Sequence, residues 1–363
     1  MLDNILINFG LNPSEYKIKP VGTGLINHTL KVSGNGEDYI LQKINTNVFK
    51  SPGIIANNLA LLQAYFKKTH PDYFFVGPVP TISGSYLANS SPGEYYRMFP
   101  FVKGSKTIDF ISDKKEAFEA ARQFGKFTYL LKDFDVNTLQ YTLIDFHNLN
   151  LRFEQFNTAY KNAELTRLNE AANEIKEVRN HYNILQSYNL LIADNSIPIR
   201  VIHHDTKISN ILFDNERNGL CVIDLDTVMP GYYLSDVGDM MRTYLSPVNE
   251  EEADLSKITI REDIFIAICN GYMLEMGKIL TETEKQNFIF SGKFMIYMQA
   301  LRFLTDFLNN DVYYEAKYPG QNLIRAKNQF ELLNKYTKAE DKLQQLFAKV
   351  QDDLLVAPRN YNN

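Results

Sequence analysis

The run His203-His204-Asp205-Thr206-Lys207-Ile208-Ser209-Asn210 carries the densest set of reactive side chains in the chain. Asn210 follows Asp205 at the fifth position, giving H-x-D-x-x-x-x-N. Fourteen residues beyond Asn210, the apolar stretch Cys221-Val222-Ile223 closes on Asp224-Leu225-Asp226. An apolar strand that ends on two acids needs a reason, because an ionised carboxylate in such surroundings requires a partner or a metal. Phosphoryl transfer supplies one. One carboxylate orients the attacking hydroxyl and accepts its proton, while a carboxylate and an amide oxygen hold Mg²⁺ across the phosphates. In this scheme Asp205 is the base, and Asn210 and Asp224 are the metal ligands. Taken singly, Asp205 caps a turn, Asn210 serves a loop and Asp224 ends a strand; the joint spacing favours the chemistry. Lys207, two residues after Asp205, suits neutralisation of the transferred charge, against the alternative of a solvated lysine. His203 fits a role in holding the loop by hydrogen bonds. His204 has no assigned task, and Asp226 is open between a second metal or hydrogen-bonding group and a turn former.

These residues need two kinds of support around them. The first hundred residues read as short strands: Tyr16–Val21, His28–Val32, a hairpin at Gly34-Asn35-Gly36, then Tyr39–Ile44. Ser51-Pro52 opens a helical pattern to Lys68, followed by strands at Pro78–Ile82, Ser85–Ala88 and Tyr95–Phe101. Beyond Lys103-Gly104 the periodicity turns helical, over Lys114–Leu131, Leu149–Lys161, Ala163–Gln186, Arg261–Met276, Glu282–Leu308 and Leu323–Leu355. A β island from Pro198 to Asp226 interrupts the helices and contains the motif, with Asn210–Asp214 and Leu220–Asp226 as a hairpin that sets Asn210 beside Asp224. The fold class is therefore α+β, with a small β-rich N-terminal lobe (1–101) and a large helical lobe (102–363).

The N-terminal lobe is the expected nucleotide site. Gly22-Thr23-Gly24 lies between two strands, where glycines let backbone N–H groups approach phosphates. Asn27 stands where a third glycine would complete G-x-G-x-x-G, and a strand follows rather than a helix, so this is no Rossmann fingerprint. Ser291-Gly292-Lys293-Phe294 lacks the features of a Walker A loop. Lys43, ending the third strand, is expected to pair the α- and β-phosphates; Gln42 points to the other face of a regular strand.

Together these residues resemble the aminoglycoside phosphotransferase/choline kinase family, over nearly the whole chain. Within it they are most similar to N-acetylhexosamine 1-kinases, through His203–Lys207, Val222–Gly231, Arg302-Phe303-Leu304-Thr305-Asp306 and Tyr313-Tyr314. The resemblance implies a bilobal protein-kinase-like fold, ATP and Mg²⁺ as cofactors, Asp205 as base, and Asn210 and Asp224 as ligands. It implies a hinge at Tyr96–Val102, including Phe99 and Phe101, that binds adenine through backbone groups. It also implies Arg302 and Tyr313 beside a sugar whose C1 hydroxyl is phosphorylated, although Arg302 could instead pair with Asp306 four residues on. The chain departs from the kinase pattern in two places. The Pro52–Lys68 helix offers no acid to Lys43, only Asn57 and Asn58. The Asp224-Leu225-Asp226 triplet lacks glycine, which argues against a regulatory switch and a protein substrate. Alternatives are the same chemistry on choline, homoserine or an aminoglycoside, or a nucleotide-binding protein without turnover.

Composition sets the outer bounds. The chain has 363 residues, a net charge of -5 and two cysteines, Cys221 and Cys269. No basic excess exists to neutralise nucleic acid, and a disulfide framework and paired-cysteine zinc sites are excluded. With no long apolar run and no basic leader, neither a membrane span nor a signal peptide is expected, and the cytoplasm is the expected compartment. The partner that the resemblance implies is a small-molecule sugar, and the oligomeric state stays open.

Overall fold

The computed structural model describes residues 2–21, 26–34, 36–314 and 316–356. Its N-terminal part contains α1 (Leu2–Asn8), β1 (Tyr16–Pro20), β2 (His28–Gly34), β3 (Glu37–Lys43), α2 (Pro52–Thr69), β4 (Ala88–Ser91) and β5 (Glu94–Pro100). The strands form an antiparallel sheet in the order β1-β2-β3-β5-β4. Period-two alternation gives this sheet two distinct faces. Leu30, Val32, Leu41, Tyr96 and Met98 fill a small core under Ile5, Leu6 and Phe9. The opposite face carries Gln42 and Arg97, which are register partners, and it looks into the cleft. The stretch expected to hold two more strands makes only an isolated bridge, Val79 to Met98, before β4. Pro78 and Pro80 remove ladder donors there.

Helix α2 starts with Pro52 in its first turn, where a missing N–H costs nothing. Its Ile55, Leu59, Leu62 and Phe66 join the large core of the helical body. Although α2 lies between strands in sequence, it belongs to the body by packing.

The body contains α3 (Lys114–Leu130), α4 (Leu149–Asn162), α5 (Leu165–Glu170), α6 (Ala172–Asn180), α7 (Tyr182–Ala193), β6 (Arg200–Ile202), β7 (Ile211–Phe213), β8 (Gly219–Val222) and β9 (Met229–Gly231). These are followed by α8 (Tyr233–Tyr244), α9 (Glu262–Met276), α10 (Glu282–Gln286), α11 (Phe288–Leu308), α12 (Gln321–Lys338) and α13 (Glu340–Val356). Three stretches expected as single helices are broken, at Ala171 and His181, at Asn287 and at Ala339. The first three of these residues sit near φ -100° and ψ 14°. That bridge conformation turns the chain without Gly or Pro. The island resolves into two ladders, β6–β9 and β7–β8.

Candidate active site

The motif loop leaves β6 and is gripped by α8. His203 and His204 donate their backbone N–H groups to the two carboxylate oxygens of Asp236, at 3.0 and 2.7 Å. Thr206 donates its N–H to Asp239 Oδ2 at 3.0 Å and its hydroxyl to the Asp236 carbonyl at 2.8 Å. Tyr244 closes the grip by donating to the Thr206 carbonyl. Sequence reasoning missed Asp236 and Asp239; their signal was two acids one helical turn apart soon after the motif. Arg242 offsets the buried Asp239 charge at 2.9 Å and reaches Glu250 at 2.8 Å. His203 accepts the Asp205 N–H at Nδ1 and therefore donates Nε2–H to the Ile223 carbonyl at 3.0 Å. It thereby ties the loop to the segment leading into Asp224.

Asp205 emerges from this frame with its side chain a quarter exposed, 3.3 Å from Lys207 Nζ. Burial pushes its carboxyl up, but Lys207 and His203 outweigh that and hold it below the ordinary aspartate value. The neighbouring histidines are both held below the usual imidazole value by burial, His204 down to about 3.

The β7–β8 ladder ends with the Ile223 N–H donating to the Asn210 carbonyl at 2.9 Å, which sets Asn210 beside Asp224. Asn210 spends its amide N–H on the Asp205 carbonyl at 2.8 Å, so its Oδ1 is left to accept a cation. Asp224 adopts a left-handed conformation, φ 57°, and its carboxylate accepts no hydrogen bond among the described residues. Burial, then Asp226 and Asp205, push its pKa up to about 7 against the pull of Arg97 and Lys207. Crowded acids of this kind fit a hard divalent cation. No cluster of three or more His, Cys, Asp or Glu ligands exists among the described residues. An Asp–Asn pair leaves the remaining coordination to phosphate oxygens.

The nucleotide side differs from expectation. Lys43 lies on the outer face of the sheet, opposite Tyr96, and forms an ion pair with Glu94. It cannot reach the phosphate side without crossing its own sheet, because strand alternation turns it away from the cleft. Gln42 and Arg97 face the cleft instead, and Arg97 pairs with Asp226 across it. Asn27 donates to the other Asp226 oxygen at 2.7 Å. Asp226 is thus a hydrogen-bonding and ion-pairing group. Gly22, Thr23 and Gly24 lie outside the described residues. At the hinge, Phe99 lies opposite Ile40 on the cleft face. Phe101 donates its N–H to the Asp38 carbonyl at 2.9 Å, so that amide is not free for adenine. Of its neighbours, the Val102 N–H has no acceptor among the described residues.

Arg302, Tyr313, Tyr314 and Arg152 line a cavity of about 440 Å³. Arg302 does not pair with Asp306. Asp306 accepts the backbone N–H groups of Tyr313 and Tyr314 at 2.7 and 2.9 Å, holding that loop. Arg302 instead lies 5.3 Å from the Phe146 ring and 3.5 Å from the Tyr313 hydroxyl. Phe146 stacks on His147, whose Nδ1 is 3.4 Å from that of His204. A continuous wall therefore runs from Arg302 to the residue before Asp205. Neither Arg152 nor Arg302 has a carboxylate partner among the described residues, and burial and Arg302 push Arg152 down to about 10.

A sheet-based N-lobe over a helical body, with an acid, an amide and a second acid at the cleft, defines a protein-kinase-like phosphotransferase fold. Residues 17–257 match the model of the Phosphotransferase enzyme family, and the chain belongs to that family, a family of small-molecule phosphotransferases. Three solved structures share the fold. The microcompartment-associated aminopropanol kinase is 13% identical, with 94% of this chain and 98% of that chain covered and a TM-score of 0.64. Amicoumacin kinase in complex with AMP-PNP, Ca²⁺ and Ami is 12% identical, covering 92% of both chains at a TM-score of 0.63. Spectinomycin phosphotransferase in complex with ADP and spectinomycin is 11% identical, covering 93% of this chain and 97% of that chain at 0.59. No helix among the described residues is long and apolar enough to cross a membrane.

Proposed function

We propose that the protein transfers the γ-phosphoryl group of ATP to a hydroxyl of a sugar, with the anomeric hydroxyl of an N-acetylhexosamine as acceptor. The observation that carries phosphoryl transfer is the Asp205–Lys207 pair beside Asn210 and Asp224, all on one loop frame anchored to α8. Asp205, ionised at neutral pH, aligns the acceptor hydroxyl and takes its proton as the new O–P bond forms and the bond to the ADP oxygen breaks. Lys207 balances the charge of the phosphoryl group in flight. Asn210 and Asp224 would hold Mg²⁺, which draws charge from the phosphate oxygens when bound. The Val102 amide, which has no acceptor among the described residues, is the hinge donor for the adenine edge.

The choice of a sugar is supported by the acceptor wall. Cationic acceptors such as choline or an aminoglycoside need acidic or aromatic cover. Glu154 and Asp306 also line the cavity, but Asp306 is taken up by backbone N–H groups, and Arg152 and Arg302, with no carboxylate partner among the described residues, suit hydroxyl and acetamido oxygens. The C1 hydroxyl of a reducing sugar is more acidic than an ordinary alcohol, so a carboxylate base suffices.

An ADP-release assay over N-acetylglucosamine, N-acetylgalactosamine, choline, homoserine and kanamycin tests this, with the product read by phosphorus NMR. A sugar 1-phosphate is expected. A 6-phosphate rejects the anomeric assignment, turnover of choline or kanamycin alone rejects the sugar, and ADP release with none of them returns the reading to a nucleotide-binding protein.

A further inference from the structure

We infer that Arg97, and not Lys43, is the N-lobe cation that serves the phosphate side of the cleft, acting as a positioning residue through Asp226. This rests on the nucleotide reading above, though not on the identity of the acceptor. Lys43 shares its face with Tyr96 and the small outer core, and 37% of its side chain stays exposed in its pair with Glu94. The position that looks into the cleft belongs to Gln42, which is neutral. Gln42 is oriented: its amide nitrogen donates to Thr29 Oγ1 at 3.1 Å, so its oxygen faces Arg97 and accepts from Nε at 3.0 Å and Nη2 at 2.9 Å. A lysine in that place would repel Arg97; a glutamine aims it.

The third nitrogen of Arg97, Nη1, pairs with Asp226, and both side chains are only 3% exposed. Asn27 takes the other Asp226 oxygen while its own Oδ1 accepts the Asn45 N–H at 3.0 Å. The result is a buried strap from β3 and β5 to the turn that carries Asp224. One residue, Leu225, separates the strap from that carboxylate. A buried pair this dry is costly to break from one side, since the remaining charge is left unpaired. Arg97 therefore fixes the sheet above the metal-side acids, a task that a strand lysine and a helix acid would share if both were present. Helix α2 has no acid to share it.

Calorimetric binding of AMP-PNP, without acceptor, tests the assignment in wild type, Lys43→Met, Arg97→Met, Arg97→Lys and Asp226→Asn. Lys43→Met is expected to bind AMP-PNP with Mg²⁺ within about threefold of wild type, and Arg97→Met to bind about tenfold or more weakly, as loss of one member of a desolvated pair predicts. Adenosine, which lacks phosphates, should bind all variants within about threefold, since only the phosphate and metal side is disturbed. Asp226→Asn should match Arg97→Met, and the double variant should be no worse than either single one. If Arg97→Met does not fold, as judged by circular dichroism, Arg97→Lys carries the test: it keeps charge but loses the fork to Gln42, and should still show the loss. Equal weakening of adenosine and AMP-PNP would reduce Arg97 to a fold-holding role and overturn the inference. So would a tenfold loss in Lys43→Met, or unchanged binding in the Arg97 variants. Failure of wild type to bind AMP-PNP at all would instead sink the nucleotide reading.

Discussion

Asp205 gains its reactivity from what surrounds it. A carboxylate held ionised by Lys207 is a weak but permanently available base, which suits a reaction in which alignment matters more than proton abstraction. Asp205→Asn keeps the shape and removes the base, so kcat should fall by about 10²–10⁴-fold while nucleotide affinity holds. Retention of more than a tenth of the wild-type rate would place base work elsewhere. The three nearby imidazoles make a separate statement. Burial lowers His203, His204 and His147 alike, so all three are neutral near pH 7. With metal and nucleotide saturating, kcat should change less than about twofold between pH 6 and 8. A limb in that range that disappears in a histidine variant would assign the base to an imidazole instead; one that persists would belong to Asp224 or Asp236, both raised to about 7. The motif was legible in the sequence because its spacing is local: a hairpin alone brings Asn210 to Asp224. The cation was not. Alternation shows that Gln42 and Lys43 oppose each other, but which of them faces the cleft is decided by α1 covering the other side, far away in sequence.

At the level of elements, α8 does what the strands cannot. Its Asp236 accepts two consecutive backbone N–H groups and so sets the loop conformation that puts His204 at φ 68°. Asp236→Asn puts an NH₂, which cannot accept, where even a protonated carboxyl keeps an acceptor oxygen. We expect a loss of roughly 1–3 kcal/mol in urea unfolding, with kcat reduced. The pH dependence has a sign. Burial, as the largest cause, raises the Asp236 pKa to about 7 from 3.8. The stability that its protonated form contributes is complete below about pH 4 and is lost as pH climbs through 7. The stability gap between wild type and Asp236→Asn should therefore narrow over that window; a gap that widens would show that the native carboxyl is ionised throughout. This helix escaped sequence reasoning although Asp236, Asp239 and Arg242 recur at helical spacing, because that polar stripe is itself buried against the motif loop and so does not read as a solvated face. The fused helices failed for the complementary reason. The apolar pattern runs on through Ala171, His181, Asn287 and Ala339, and nothing in those residue types announces a break.

The molecule as a whole divides by packing differently from how it divides by sequence. The shift from strand to helix periodicity near residue 102 marks two parts, and the sheet does have its own small core with α1. Helix α2, however, is embedded in the large core, with Phe66 against Phe127 at 5.9 Å between ring centres. Its buried Asn58 donates to the carbonyls of Gln140 and Val228 at 2.8 and 3.3 Å, tying it to the segment just past Asp226. A helix fixed in this way cannot swing as a switch. Any opening of the sheet over the nucleotide, by contrast, must part or strain the buried Arg97–Asp226 strap. Amide hydrogen exchange can separate these cases, because local opening follows cooperative packing units. Without ligand, β2, β3 and β5 should exchange faster than α3, α9 and α11, and α2 should exchange with the body. Saturating AMP-PNP at about one hundred times Kd contributes about 2.7 kcal/mol to any opening that releases it, so sheet amides should slow by up to about one hundredfold. The α2 amides should slow far less, since opening of the sheet does not expose them. If α2 instead exchanged at the rate of the sheet and gained the same protection, the helix would move with the N-lobe and not with the body.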